Sequence, residues 1–258
     1  MIYKLTHKES PNNSFKDFSS IESGFAKYAS VNNTLDYSIP EYTPISDQAT
    51  LSSCAANATA DSFEILMGVQ NKNSVIQLSR LFLYYNARVY TKSTNEDEGC
   101  YISHALDSLT TLGICREDTW KYDILKVFAQ PSLMAFAEAN DNKLSDFYKI
   151  NKNRLDNVEQ AVRSNHPVIF GTPVSQAFTQ ARYGTELPIF DFPSVSVGRH
   201  AMIVVGVKYI NGKRYFEVRN SWGKSWGYNG HWLMTEDYLN NSETNDIWVA
   251  TLMPNLVI

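Results

Sequence analysis

Cysteine is scarce in this 258-residue sequence, which contains only Cys54, Cys100 and Cys115. Because three is an odd number, a framework of intrachain disulfides is excluded and at least one thiol has no intrachain partner. An excess of positive charge is also missing, since 23 lysines and arginines stand against 27 acidic residues and the formal net charge is −4. This balance argues against a protein that binds nucleic acid by electrostatic attraction.

Long apolar runs are absent as well. No stretch approaches the length of a membrane-spanning helix, and the opening residues MIYKLTHKESPNNSF lack the apolar run and cleavage site of a signal peptide. We therefore expect no membrane partner and a location in the cytoplasm or another reducing compartment. A hydrophobic fraction of 43% with 19% charged residues is typical of a globular protein and excludes wholesale disorder.

The first half of the chain combines a polar extension with helical patterns. Residues 1–36, here called the N-terminal extension, are rich in Asn and Ser and weakly periodic, so we expect an arm rather than a core element. Small and apolar residues predict a helix from Ser53 that ends at Gly68. Further helices are predicted over about 79–88, 102–112, 131–140 and 155–164.

After Pro167 the pattern changes to strands. The β-branched and aromatic runs VIFGTPV, HAMIVVGVKYI, RYFEVRNSW and HWLMT are bounded by turn residues, and Asn211-Gly212 predicts a two-residue hairpin turn. This segregation predicts an α+β fold with a helical left lobe (about 50–150) and an antiparallel β right lobe (about 160–250). The cleft between two lobes is the expected place for a functional site.

Three residues form a candidate catalytic group. Cys54 lies at the first turn of a predicted helix, where the helix dipole favours a thiolate. Among the five histidines, His200 begins an apolar strand at a lobe edge, whereas His7 falls in the polar extension. The hairpin at 211–212 would place Asn220 beside His200, where its side chain can orient the imidazole.

Four segments carry a resemblance to the papain-like cysteine peptidases, the papain and cathepsin family. They are DQATLSSCAANA, EGCYISHALDSLTTLGICREDTWKY, GRHAMIVVGV and NSWGKSWGYNG, and they occur in the order that the family shows. The resemblance extends from about Asp36 to the end of the chain and implies a papain-like peptidase domain over 37–258. It implies a cysteine endopeptidase that hydrolyses peptide bonds without a cofactor.

The resemblance also implies the role of each catalytic residue. Cys54 would be the nucleophile and His200 the acid and base. Asn220 would orient His200, and the side-chain amide of Gln48 would donate to the oxyanion. Trp222 would cover the contact between Asn220 and His200 and exclude water.

Departures from the family pattern affect the predicted substrate contacts. Leu51 stands where the family has the cysteine that pairs with the counterpart of Cys100, so that disulfide cannot form here. The family's substrate-binding glycines are replaced in the run that follows Cys100. The predicted substrate-binding residues are Tyr101, Ile102, Ser103, Arg199 and Trp222. Arg199 would favour acidic or polar groups in the neighbouring pocket.

Several alternatives stay open at this level. The same thioester would also serve a transferase, a ligase or a deamidase, and a cleft blocked in all conditions would make the protein a non-catalytic binding module. Cys100 and Cys115 lack metal-ligand spacing, so no metal is expected, but a bridge between them remains open. We expect a protein or peptide substrate and a monomer, with residues 1–36 near or across the cleft as a short autoinhibitory arm.

Overall fold

The computed structural model describes residues 3–11, 14–29, 35–70 and 76–252. These residues form eight α-helices: α1 (Glu22–Ala29), α2 (Cys54–Gln70), α3 (Arg80–Val89), α4 (Ile102–Thr111), α5 (Leu133–Ala139), α6 (Arg154–Arg163), α7 (Gln176–Gln180) and α8 (Glu236–Asn240). They also form eight strands: β1 (Tyr37–Ser38), β2 (Asp146–Lys149), β3 (Val168–Val174), β4 (Ile189–Phe190), β5 (Gly198–Ile210), β6 (Lys213–Arg219), β7 (His231–Thr235) and β8 (Asn245–Thr251).

The strands build one mainly antiparallel sheet around β5. The sheet order is β2-β8-β3-β5-β6-β7-β4, with β1 added on β5, and β4 pairs with β7 in parallel. At 13 residues β5 is long enough to pair with β1, β3 and β6. A side chain near the start of β5 is therefore held by a rigid central strand.

Helix α2 is the centre of the helical half. Its residues from Cys54 to Gly68 are buried, and it packs against β5, α3 and α4. A helix that is buried all round belongs to the core of a domain. The acidic residues Asp61 and Glu64 of α2 pair inside the protein with Arg80 of α3, and Asp61 also pairs with Arg219 of β6.

Helices and a mainly antiparallel sheet match the predicted α+β class. The predicted helix from Ser53 corresponds to α2, and the four predicted strand runs correspond to β3, β5, β6 and β7. Asn211 and Gly212 connect β5 to β6 with φ values of 50° and 76°, which is the left-handed conformation that such a hairpin turn requires. None of the described helices is long and apolar enough to cross a membrane.

The expectation that residues 1–36 lie outside the core is wrong in part. Phe18 and Phe25 are buried with ring centroids 5.1 Å apart, and α1 packs against α6. Phe18 lies in a short 3-10 turn, Phe18–Ser20, and Phe25 lies in α1, so no single helical period relates them and the polar residues around them conceal their burial. Positions 1–2, 12–13 and 30–34 of the extension, and 71–75 and 253–258 of the predicted domain, lie outside the described residues.

Candidate active site

Cys54 is the first residue of α2 and lies beside the start of β5. Its side chain is buried, and a backbone hydrogen bond links it to Ala201. Burial raises the pKa of the Cys54 thiol to about 11, although backbone hydrogen bonds of Ala201, Ala55 and Cys54 act in the opposite direction. The thiol is therefore protonated at neutral pH in this structure.

His200 and Asn220 form a buried pair next to Cys54. The distance from His200 Nε2 to Asn220 Oδ1 is 2.8 Å. Because an amide oxygen only accepts, Nε2 carries the hydrogen and the neutral ring keeps its lone pair on Nδ1. Burial lowers the pKa of His200 to about 4, with the Asn220 hydrogen bond opposing it. Arg219, the last residue of β6, pairs with Ile203 of β5. The next residue, Asn220, therefore lies near the beginning of β5, where His200 is.

Trp222 covers the histidine pair. Its ring stacks on the His200 ring with centroids 4.6 Å apart and an interplanar angle of 28°, and it is fully buried. A cover of this kind excludes water and strengthens the His200–Asn220 hydrogen bond.

The Gln48 side chain is fixed by hydrogen bonds to Ser221 and Trp222 on one side and to Leu51, before Cys54, on the other. Its Oε1 accepts from Ser221 Oγ at 2.9 Å and from Trp222 Nε1 at 3.3 Å, and its Nε2 donates to the Leu51 carbonyl at 2.9 Å. Its backbone N–H donates to the Ser221 carbonyl. The Gln48 amide is therefore held rigidly beside the nucleophile segment.

Residues 3–10, here called the cleft segment, lie against the same group. The Tyr3 ring stacks in parallel on Trp222 at 4.5 Å, and its hydroxyl donates to the Trp222 carbonyl at 2.9 Å. The His7 backbone N–H donates to the carbonyl of Arg199, the residue before His200. On the helical side, Lys8 forms a backbone bridge with Tyr101. The segment thus contacts both halves of the molecule at the active site.

The His7 ring is buried against Gly171 of β3. A Cβ atom at Gly171 would overlap this ring, and Nε2 lies 3.6 Å from Asp246 Oδ2. Burial lowers the pKa of His7 to about 3, with Arg199 and His200 acting in the same direction. The ring is therefore neutral, and the contact with Asp246 is not an ion pair.

Ser10 completes the attachment of the cleft segment. Its backbone N–H and hydroxyl both donate to Asp246 Oδ2, at 3.1 and 2.9 Å. Its Oγ accepts from the backbone N–H of Ser103 at the start of α4. The segment is thereby held at the end opposite Tyr3.

The structure brings four of the five predicted substrate-binding residues to the cleft segment. Tyr101, Ser103, Arg199 and Trp222 contact it through the bonds described above. Ile102 instead lies in the apolar core with no exposed surface. The guanidinium of Arg199 donates to Asn245 Oδ1 at 2.6 Å.

Tyr3, His7 and Asp246 were not predicted as site residues from the sequence. Tyr3 and His7 lie in a polar stretch without periodicity, and their partners are more than 160 residues away. No local signal in the sequence could have identified them.

The three cysteines are free and buried, so the Cys100–Cys115 bridge that the sequence left open is not formed. Within the described part of the chain, no group of three His, Cys, Asp or Glu side chains could hold a metal ion.

Comparison with known proteins identifies the family that this chain is similar to. A profile of the papain family cysteine proteases matches residues 31–251. An uncharacterized peptidase C1-like protein of Acanthamoeba polyphaga mimivirus is 31% identical over 82% of this chain and 71% of its own length. Falcipain-3 of Plasmodium falciparum is 26% identical over 83% of this chain, which spans 43% of the length of that protein.

Solved structures share the fold. Xylellain, a cysteine protease from Xylella fastidiosa, superposes with a TM-score of 0.78 at 23% identity, over 96% of this chain and 97% of its own. Procathepsin B from Trypanosoma congolense gives a TM-score of 0.70 at 16% identity, over 95% and 85%. From the sequence match and the shared two-lobed α+β fold, the chain belongs to the papain family of cysteine proteases.

Proposed function

We propose that the protein is a cysteine endopeptidase that hydrolyses peptide bonds through a thioester on Cys54. The observation that carries the proposal is the buried 2.8 Å contact between His200 and Asn220 beside the first turn of α2. A nucleophile, a base and a group that orients the base are what acyl transfer to a thiol requires.

The reaction follows from these roles. His200 Nδ1 takes the thiol proton, and the Cys54 sulfur attacks the carbonyl carbon of the peptide bond. A primary amide nitrogen carries two hydrogens, so the Gln48 hydrogen that Leu51 does not accept donates to the oxyanion, together with the Cys54 backbone N–H. The imidazolium then protonates the leaving amine. Water, deprotonated by His200, attacks the thioester, releases the carboxylic acid and restores the thiol.

The docked cleft segment keeps this group in a resting state. With both side chains buried, the pKa of the Cys54 thiol is raised to about 11 and that of His200 is lowered to about 4, so proton transfer between them is unfavourable. Removing the segment admits water, which brings both pKa values back toward their ordinary range and allows a thiolate–imidazolium pair to form.

Labelling and turnover test the nucleophile. In the wild-type chain a peptidyl epoxide labels Cys54, and Cys54→Ala abolishes labelling and lowers peptide hydrolysis by about 10⁴-fold or more. The matched control is Cys115→Ala, which removes another buried thiol and leaves both measurements unchanged. Peptide turnover that persists in Cys54→Ala contradicts the proposal.

We further propose that the N-terminal extension, residues 1–36, is autoinhibitory through its cleft segment. Deleting residues 1–11 removes every contact of this segment and leaves Phe18 and Phe25 in the core. We expect labelling of Cys54 and peptide turnover to rise by at least about tenfold, since buried thiols react slowly. Equal rates in the full and shortened chains refute the inhibitory role.

The occupied cleft also favours one alternative, a binding module without turnover. Absence of hydrolysis in the chain shortened by residues 1–11, with the fold intact, supports that alternative. A transferase, ligase or deamidase using the same thioester is distinguished by the product mass with and without an added amine.

A further inference from the structure

Asp97 connects the cleft segment with the residues that precede Cys54. It lies between α3 and α4, and about one tenth of its side chain is exposed. Its Oδ1 accepts from the Ser52 backbone N–H at 2.9 Å and from the Tyr84 hydroxyl at 2.8 Å. Its Oδ2 lies 2.5 Å from Lys4 Nζ. The two carboxylate oxygens therefore have separate partners.

The Oδ1 side acts on the nucleophile segment. Ser52 is fully buried two residues before Cys54, and its hydroxyl donates to the Asp97 carbonyl at 2.7 Å. These hydrogen bonds connect the segment before Cys54 with the segment before Cys100. No disulfide links the two segments, because all three cysteines are free. Tyr84 fixes the carboxylate from a third element, α3.

We infer that Asp97 is a positioning residue with two roles, one for each oxygen: Oδ1 positions Cys54 through Ser52, and Oδ2 anchors the cleft segment through Lys4. The inference rests on the proposed role of Cys54 as nucleophile. The Ser52 and Tyr84 hydrogen bonds require only an acceptor oxygen, whereas the ion pair with Lys4 requires a negative charge. An amide at position 97 therefore separates the two roles, and an alkyl side chain removes both.

The anchoring role is tested by alkylation of the full chain with iodoacetamide, with the rate at Cys54 followed by peptide mass mapping. Asp97→Asn and Lys4→Met each raise the rate about two- to fivefold at low salt, the range expected for a partly exposed ion pair. The double variant reacts no faster than either single variant, because both remove the same interaction. Lys4→Arg keeps the wild-type rate, and 0.5 M salt removes the differences.

The positioning role is tested by the pH dependence of the same labelling, which reports the thiol pKa in the open form. Asp97→Asn keeps the wild-type profile. Asp97→Leu leaves the Ser52 N–H and the Tyr84 hydroxyl without an acceptor, so its profile moves toward that of an ordinary cysteine and its rate at pH 6 falls at least about tenfold below that of Asp97→Asn. Ser52→Ala removes one hydrogen bond and shifts the profile in the same direction by less, which keeps the test valid if Asp97→Leu does not fold.

Three results contradict the inference. Additive effects of Lys4→Met and Asp97→Asn, or no effect of either, refute the anchoring role. A profile of Asp97→Asn that moves as far as that of Asp97→Leu refutes the positioning role. Failure of the peptidase proposal gives a different result. The variants then show the expected labelling rates and pH profiles at Cys54, but the chain hydrolyses no peptide.

Discussion

Burial sets the protonation of Cys54 and His200 more strongly than any neighbouring charge. It is the largest influence on both groups, and it raises the pKa of one while lowering that of the other. Each shift favours the neutral form, so the buried pair does not form a thiolate and an imidazolium in this structure. Reactivity therefore depends on exposure to water.

Asn220 offers a direct test at the residue scale. Asn220→Ala leaves the His200 Nε2–H buried without an acceptor, so we expect the specificity constant for peptide hydrolysis to fall about 5- to 150-fold. The matched control is Asn86→Ala, which removes a buried asparagine of α3 whose amide donates to the Phe82 carbonyl. That variant should lose stability and keep its turnover once folded; equal losses of turnover in both contradict the orienting role.

Acid should release the cleft segment through His7. The docked pKa of about 3 lies below the ordinary 6.5, so the stability that neutral His7 gives to docking is present above pH 6.5 and is lost as the pH falls toward 3. Between pH 6.5 and 5, docking weakens by up to about tenfold per unit. Arg199 and His200 add to this effect, whereas burial of Asp246 raises its pKa and opposes it at lower pH.

The measurement is the Cys54 labelling rate of the full chain divided by that of the chain lacking residues 1–11, from pH 7 to pH 5. We expect the ratio to rise in the wild type and to stay flat in His7→Leu, which has no titrating ring. A rise of the same size in His7→Leu assigns the effect to another group.

At the scale of single elements, alanine substitutions at two glycines should change the free energy of unfolding in opposite directions. Gly212 lies in the β5–β6 turn at φ 76°, and Gly24 lies within α1; an added Cβ meets nothing within 4 Å at either position. Gly212→Ala should therefore lower the free energy of unfolding by about 1 kcal/mol through backbone strain alone. Gly24→Ala should raise it by about 0.5–1 kcal/mol through helix propensity. Denaturant unfolding measures both, and effects of the same sign contradict the argument.

The sequence predicted those elements whose signal is local. Helix α2 and strands β5 and β6 carry long apolar patterns, and the turn at 211–212 defines how β5 and β6 pair, which was enough to predict that His200 and Asn220 meet. Strand β2 has four residues and β8 begins with Asn-Asp, so neither shows a clear alternation. The cleft segment was expected in general terms, but its individual contacts depend on partners at the far end of the sequence.

At the scale of the molecule, a buried group of charges joins the helical and β halves. Arg80 pairs with Asp61 and Glu64, and Arg219 pairs with Asp61 and Glu41. Arg80→Met leaves the buried Glu64 carboxylate without a cation and leaves Asp61 with Arg219 as its remaining one, so we expect the free energy of unfolding to fall by about 3–5 kcal/mol.

The control for this prediction is Arg116→Met, which breaks an exposed pair with Glu138. It should change stability by no more than about 1 kcal/mol in a denaturant titration. A loss in Arg80→Met as small as that of the control contradicts a structural role for the buried group.

The contacts of the cleft segment also set an order of events during synthesis. Tyr3 and Trp222 are 219 residues apart, and Ser10 and Asp246 are 236 apart. Residues 3–10 are synthesised before the partners described above, which lie in β5, around Trp222 and in β8, and contacts of such separation form slowly. We therefore expect a newly made chain to complete its sheet before the cleft segment docks; under the proposed inhibitory role of the segment, Cys54 is reactive during that interval.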